Sequence, residues 1–505
     1  MTYGTHLMLV LTSLTSRARE LKEEIERVQD GNLERLQEIM LPYLLSEVTP
    51  GSTFDFEERL AEQVRELARQ LVERVFNRLE SDDYEQAPHD VKFDAGGYRR
   101  RNQKTRNSNV STLFGNITLY RYSYRYWHRG HREPAIFPLE LQLGLVHGAT
   151  PALAEAASRY TAQSGATQRI VLDRLKTQHG VRWGPQRLRD VNQAVAQGME
   201  QFRLECQVQK ILELMEIADQ SRGRCLPVLA VGRDGVTLRE YRYSFYEHAT
   251  AGTVTVYDRR GKRLGTVYLG FVPESGQGRM TEQLTSLIET ILRRWQGRLP
   301  RLCYVTDAGD NETSYFHEVL RNMRHPVTGQ RLGWTRIVDY FHTSQRIWTM
   351  AEALFGKEQE QQSQAWARRM CRLLKKRNGP SRVLHSAGAL RARRCLSKSR
   401  QEEYRKASNY IRCRTRFMQY HDYQKLHLPI GSGVTEAACK TIFAQRLKLS
   451  GMRWGKEGAQ VVLDLRVSLL SGIWPSLYRR LLETQNDHQP EVYRNPAENQ
   501  PKIAA

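Results

Sequence analysis

The sequence predicts an α/β protein, with a mainly helical region ahead of the sheet and a helical insertion within it. Three observations lead there. From Pro227 onward, apolar runs of strand character are followed by helical segments, the order that builds helices against a sheet. Between Glu57 and Leu79, apolar residues recur at steps of three or four. Residues 343–428 are helical in pattern and dense in Lys and Arg.

At 505 residues and 40% hydrophobic, the chain can bury a sizeable core and hold several structural units. Its 77 Lys and Arg against 55 Asp and Glu give a formal charge of +22, which points to a polyanion, most simply nucleic acid. That charge is localised: residues 1–95 carry net −9 and the remainder net +31. The seven cysteines never form a CxxC pair, which argues for reduced thiols and against a disulfide frame or a zinc ribbon. The early run LMLVLTSL lacks a basic flank and a cleavage site and reads as helix. No stretch approaches a membrane span, so the expectation is a soluble, cytoplasmic protein with no membrane partner.

Residues 1–95 form an acidic amphipathic helical region, with Leu60, Val64, Leu67, Leu71, Val75 and Leu79 on one helix face and a weaker pattern at Leu21, Ile25, Val28, Leu36 and Ile39. The second helix suits packing against the first or against another subunit. Residues 96–145 form a basic, aromatic strand segment. From Tyr98 to Arg132 there are nine Lys or Arg and no acid, and ITLYRYSYRYW alternates as a strand that suits either phosphate contacts or a half-buried sheet edge. Residues 146–222 read as three short helices broken at Ser164-Gly165 and His179-Gly180, compatible with a helix-turn-helix DNA reader or with any small bundle. Residues 223–342 carry the strands: LPVLAVGRDG into Asp234, a hairpin turning at Arg260-Gly261, RLCYVTD into Asp307, and TRIVDYFH. The insertion at 343–428 includes residues 367–416, with 17 Lys or Arg and two acids, more charge than a solvated face needs. Residues 429–480 return to the core, and 481–505 form a polar tail.

Asp234 and Asp307 each end an apolar run and precede small residues, the position where sites form in open α/β sheets. In LPIGSGVTEAACK, Gly431 and Gly433 are expected to make a tight loop by adopting backbone angles that other residues avoid, and Glu436 falls in the first turn of the helix that follows. A carboxylate there also suits the helix dipole alone. Three carboxylates brought together repel one another unless they hold hard divalent cations, magnesium being the natural candidate.

These residues carry a resemblance. The block IGSGVTEAACKTIFAQRLKLSGMRWGKEGAQVVLDLRVSLLSGIW at 430–474 looks like the C-terminal signature of ISKra-type insertion-sequence transposases. RDGVTLRE around Asp234, VTDAGD around Asp307 and DYFHTSQRIWTMAEALFG at 339–356 match the same family in order, and the resemblance spans roughly residues 110–480. It implies a DDE transposase with an RNase H-like catalytic core that cuts and rejoins the DNA ends of its mobile element.

By that resemblance Asp234, Asp307 and Glu436 are the catalytic metal ligands, holding two Mg2+ ions for which Mn2+ can substitute. Asp339 and His342 resemble an accessory Asp-x-x-His motif, a pair that local hydrogen bonds would satisfy equally well. The residues expected on DNA are Lys440, Arg446, Lys448, Arg453, Lys375, Lys376, Arg377, Arg121 and Arg125. Lys440 suits a phosphate contact or an ion pair with Glu436. The implied partners are element-end and target DNA, with a homo-oligomer working on two ends and a nucleoid-associated location. A structure-specific nuclease on the same core, or an inactive DNA-binding descendant, are the competing readings. Two departures stand out. YRYWHRGHRE lacks the cysteine pairs many relatives carry, and Asp307-Ala308-Gly309 stands where Asp-Gly is expected, with Asp310 a rival ligand.

Overall fold

The computed structural model describes residues 3–83, 99–125, 127–128, 131–132, 135–239 and 246–487. It is a mixed α/β protein. Two compact units divide it, one of residues 1–161, 166–198 and 478–505, the other of residues 162–165 and 199–477. The helical segment expected at 146–222 is therefore divided at Gly198. Among the described residues, no helix is long and apolar enough to cross a membrane.

The second unit is built on five strands: β1 (Val228–Arg239), β2 (Tyr246–Tyr257), β3 (Arg263–Phe271), β4 (Arg301–Thr306) and β5 (Thr335–Val338). Their order across the sheet is β5-β4-β1-β2-β3. The first three run antiparallel, while β4 lies parallel to β1 and β5 parallel to β4. The β2–β3 turn is set by Gly261 at φ 80, an angle that favours glycine, and by the Asp258 carboxylate accepting N–H groups of Arg260 and Lys262, each at 2.8 Å.

The helices around this sheet include α1 (Gly278–Arg294), α2 (Asp310–Glu318), α3 (Tyr340–Phe355), α4 (Glu360–Leu374), α5 (Gly379–Ala392), α6 (Lys398–Arg414), α7 (Gly433–Ala438) and α8 (Lys456–Leu470). Strand periodicity assigns the two faces. Leu229, Val231, Leu302 and Tyr304 join a core with Leu284, Leu287, Ile288 and Ile291 of α1. Val228, Ala230, Cys303, Val305 and Ile337 join the opposite core with Ile347, Met350, Leu354, Met370 and Ile411 of the insertion. Each such fully buried side chain contributes roughly 1.5–3 kcal/mol. The insertion is thus part of the core, and its positive charge lies outside that packed face.

Three expectations about these elements need correction. β1 does not end at Asp234 but continues to Arg239, because β2 keeps pairing with it after the parallel partner β4 has stopped at Val231 opposite Tyr304. TRIVDYFH is not one strand: β5 stops at Val338, and Asp339 caps α3 by accepting the N–H of His342. Neither Gly431 nor Gly433 has a positive φ. Gly431 instead permits close approach, since a Cβ there would lie 3.0 Å from the Phe341 ring, whereas one at Gly433 would meet open space.

In the first unit, the helices Tyr3–Leu45 and Pro50–Arg78 pack against each other, with buried Asn32 accepting from Gln63 at 2.7 Å and Arg78 paired to Glu24 at 2.5 Å. The strands Thr105–Thr112 and Gly115–Arg121 form an antiparallel hairpin that bulges between Asn107 and Val110. The tyrosine-rich run then breaks at Tyr122-Ser123; Tyr124–Arg125 resumes pairing, with Arg99–Arg100, and Trp127–His128 pairs with His131–Arg132. Tyr98, Tyr126 and residues 84–95 of the acidic region lie outside the described residues, as does the tail from 488. Helices Pro151–Ala162 and Gln168–His179 fit the expected breaks, with Gly165 at φ 71 and Gly180 at φ 65. The third is not short: Pro185–Gln220 runs 36 residues, because no proline follows its first position and its single glycine, Gly198, is carried within the helix.

Candidate active site

Asp234 and Asp307 are 73 residues apart, and so is every pair in register between β1 and β4, from Val228 opposite Arg301 to Val231 opposite Tyr304. Pairing ends there, three residues short of the two aspartates, and the charge of Asp307 still acts on Asp234. Both follow the parity of the face that packs on the insertion, Ala230 on β1 and Val305 on β4. The β4–β5 register extends the row, since Thr306 lies opposite Val338 and the next residue, Asp339, donates its N–H to the Thr306 carbonyl at 2.8 Å. Three neighbouring parallel strands therefore each place an aspartate at one level of the sheet.

Glu436 reaches this row because α7 lies almost on the backbone of β1. A Cβ on Gly232 would stand 2.0 Å from Oγ1 of Thr435 and 2.8 Å from Oγ1 of Thr253, and those two buried hydroxyls bond each other at 2.8 Å. Glycine two residues before Asp234 is what admits the helix. The Glu436 Oε1 atom accepts from Ser432 Oγ at 3.1 Å and lies 3.1 Å from Nε2 of His342. After α7 the chain takes a π turn over Cys439–Ala444, which moves the exposed Lys440 off a regular i,i+4 relation to Glu436, so His342 is the ion-pair partner and not Lys440.

Burial pushes the Asp234 carboxyl above its ordinary range; the Gly235 N–H opposes this, and the charges of Asp307 and Glu436 reinforce it. Its oxygens accept from Gly235 N at 2.7 Å and, weakly, from Cys439 Sγ at 3.4 Å. Asp307 accepts from Gly309 N at 3.0 Å. Its backbone is held by the insertion, through a Tyr410 hydroxyl donating to the Asp307 carbonyl at 2.6 Å and Arg414 to that of Ala308 at 3.3 Å. Asp310, the rival ligand, is exposed at the first position of α2, pointing the choice to Asp307.

Sequence reading missed Glu312, which is 7% exposed and whose carboxyl is also pushed up, first by burial and then by the charges of Asp307 and Asp234. Its only local signal was a carboxylate in the first turn of a helix. Among the described residues, no Lys or Arg pairs with Asp234, Asp307, Glu312 or Glu436. Carboxylates that crowd Asp234 and Glu312 in this way, with no Lys or Arg ion pair among them, form a donor set that suits a hard divalent ion. The tightest group, with ligand atoms all within 4.8 Å, is however Asp339, His342 and Glu436, and Asp234 and Asp307 stand outside it. We read that group as a clasp and not a cage, because Asp339 is fully buried with both oxygens already accepting backbone N–H groups.

The residues expected on DNA separate into two sets. Lys376, Arg377, Lys440, Lys448 and Arg453 are exposed. Lys375 is half-buried with its ammonium 4.2 Å from the Tyr340 ring centre, and Arg125 is half-buried. Arg121 and Arg446 are corrections. Arg121 is buried in an ion pair with Glu140 at 2.6 Å and stacks on Phe137, and Arg446 is buried with its guanidinium 5.1 Å from the Trp454 ring. Neither presents its charge to a ligand.

No protein-family model matches the chain, and no curated protein matches it.

Proposed function

We propose that the chain is a DDE transposase of the ISKra type, a divalent-metal-dependent polynucleotidyl transferase with an RNase H-like core. The observation that carries this reading is that Asp234 on β1 and Asp307, directly after the parallel neighbour β4, lie close enough for the Asp307 and Glu436 charges to act on Asp234, with the Glu436 helix seated against Gly232. The sheet of three antiparallel strands extended by two parallel ones, interrupted by helices before α7, supports the fold assignment.

In this reading Asp234, Asp307 and Glu436 hold two Mg2+ ions, or Mn2+ in their place, which when bound activate the attacking oxygen and stabilise the leaving one. Water attacks phosphorus at an element end and the P–O3′ bond breaks, leaving a 3′ hydroxyl. That hydroxyl then attacks a phosphorus of target DNA and displaces its 3′ oxygen. The exposed Lys376, Arg377, Lys440, Lys448 and Arg453 neutralise backbone phosphates. Leu33, Leu41, Leu44, Leu45 and Phe54, each more than half exposed on the N-terminal helices, supply apolar surface for the homo-oligomer that two ends require. The working location is the cytoplasmic nucleoid.

Labelled element-end DNA incubated with Mg2+ tests the reading, with Asp234→Asn and Glu436→Gln beside the natural chain. Cleavage and joining by the natural chain, lost in both variants while DNA binding persists, is the expected outcome. Cleavage without joining makes the protein a nuclease, and indifference to both substitutions makes it a DNA-binding protein.

A further inference from the structure

We infer that Asp339 is a positioning residue that sets the Glu436 carboxylate, acting through two separate residues at once; this rests on the metal-triad reading above. Asp339 is wholly buried. Its backbone N–H is tied to β4 at Thr306, and its carbonyl accepts from the Thr343 hydroxyl at 2.8 Å. The carboxylate divides its oxygens. Oδ1 accepts the N–H of His342 at 2.8 Å, and Oδ2 accepts the N–H of Ser432, 93 residues further along the chain. A second strand-to-loop bond, Tyr340 N–H to the Ile430 carbonyl at 2.9 Å, runs beside it.

The two residues whose N–H groups Asp339 grips are the two whose side chains grip Glu436. His342 Nε2 and Ser432 Oγ each lie 3.1 Å from Oε1 of Glu436, and they come from different segments, both of which Asp339 holds. Both converge on one oxygen of the carboxylate. Capping α3 needs a single acceptor, which serine or threonine supplies. A buried carboxylate is an expensive way to cap a helix unless its second oxygen has work elsewhere. Here that oxygen holds the loop from which α7 and Glu436 start, and Gly431 in that loop leaves room for the Phe341 ring, from which a Cβ would lie 3.0 Å. Asp339 thus keeps Glu436 at a fixed place relative to the row of Asp234 and Asp307, so that the ion meets a formed site.

Asp339→Ser separates capping from bridging, because a serine hydroxyl reaches the His342 N–H but not the Ser432 N–H. The test is Mn2+ binding to the full chain by calorimetry, without DNA, with duplex DNA binding and thermal unfolding measured alongside. Expected is at least tenfold weaker Mn2+ binding by Asp339→Ser with duplex binding unchanged. The double variant His342→Ala/Ser432→Ala, which keeps both backbone N–H groups and deletes both grips on Glu436, should lose Mn2+ affinity comparably. Adding Asp339→Ser to it should cost little more, since effects along one path do not add. Natural affinity in the double variant overturns the proposal even if Asp339→Ser fails to fold, and so does an undiminished Asp339→Ser effect in the double background. A natural chain that binds no Mn2+ overturns the triad reading along with it, whereas a natural chain that binds and variants that match it overturn this inference alone.

Discussion

Thr435 fills the space that a side chain on Gly232 would need, its hydroxyl oxygen standing 2.0 Å from where that Cβ would lie. The contact fixes how near α7 comes to β1, and with it how near Glu436 comes to Asp234. Gly232→Ala should therefore be strongly disruptive, since neither buried hydroxyl has room to withdraw. Overpacking of this kind costs about 1–3 kcal/mol. Urea unfolding should show that loss, and end cleavage should fall further than stability does. Adding Thr435→Ala should recover part of both, and a lack of any recovery would disprove the packing argument.

Ala308 sits at φ 65, in the left-handed region, directly after Asp307. This gives a physical reason for the glycine expected at that place: an L side chain there is strained by roughly 1–2 kcal/mol. Ala308→Gly relieves that strain and loosens the unfolded chain, so the net expectation is a gain of about 0.5–1 kcal/mol. Ala308→Val should lose stability. Denaturation midpoints of the two variants, moving in opposite directions, check the assignment.

How far the site could be read in advance depends on the reach of each contact. Asp234 and Asp307 were legible because apolar strand runs lead straight into them, and their spacing turned out to equal a strand register. Glu312 was not, because its burial arises only when α2 turns it back toward Gly309, where a Cβ would lie 2.4 Å from its Oε2. Arg121 and Arg446 were misread for a related reason. Composition shows that a segment is basic but not which cations are consumed internally, and Glu140 and Trp454 become their partners only through folding. Gly431 and Gly433 show the same limit: the sequence marks both as glycine, and only the Phe341 ring distinguishes the one that is needed.

Those buried arginines set up a contrast. Arg121→Ala removes the guanidinium from Glu140, which keeps the Asn107 amide, and should cost about 1–3 kcal/mol, the range for a lost hydrogen bond to a charged group. Lys376→Ala and Arg377→Ala, on exposed side chains, should leave stability within about 0.5 kcal/mol. Their effect belongs to DNA: each phosphate contact removed should lower the slope of log affinity against log salt by about 1. Duplex titrations from low to moderate salt, paired with unfolding curves, separate the two classes.

Asp234 predicts a pH dependence whose sign follows from its raised carboxyl. Because the folded state holds that carboxyl above its unfolded value, the stability tied to its neutral form is fully present below the unfolded value near 3.8 and is lost as pH rises through the folded value. Above the folded value the metal-free protein therefore carries a repelled charge that burial disfavours. Asp234→Asn should stabilise it there. The advantage should shrink as pH falls from the raised folded value toward the unfolded one. Mg2+ should raise the unfolding temperature of the natural chain and not of the variant. A variant less stable than the natural chain at pH 7 without metal would remove the electrostatic argument.

Tyr410 connects the basic insertion to the strand end that carries Asp307, its hydroxyl donating to the Asp307 carbonyl at 2.6 Å while Arg414 stacks on its ring at 4.4 Å and bonds the Ala308 carbonyl. Packing of the insertion and placement of Asp307 are thereby joined in one hydrogen bond, in a segment already strained at Ala308. Tyr410→Phe deletes the hydroxyl and keeps the ring, so the expected stability loss is only about 0.5–1.5 kcal/mol. Asp307 should nevertheless lose definition, since no other side-chain hydroxyl among the described residues donates to its carbonyl. End cleavage at saturating DNA should drop about tenfold, a change in transition-state energy near 1.4 kcal/mol, with duplex affinity unaltered. An unchanged cleavage rate would make the insertion a DNA clamp alone, whereas the expected drop makes it a structural arm of the active site as well.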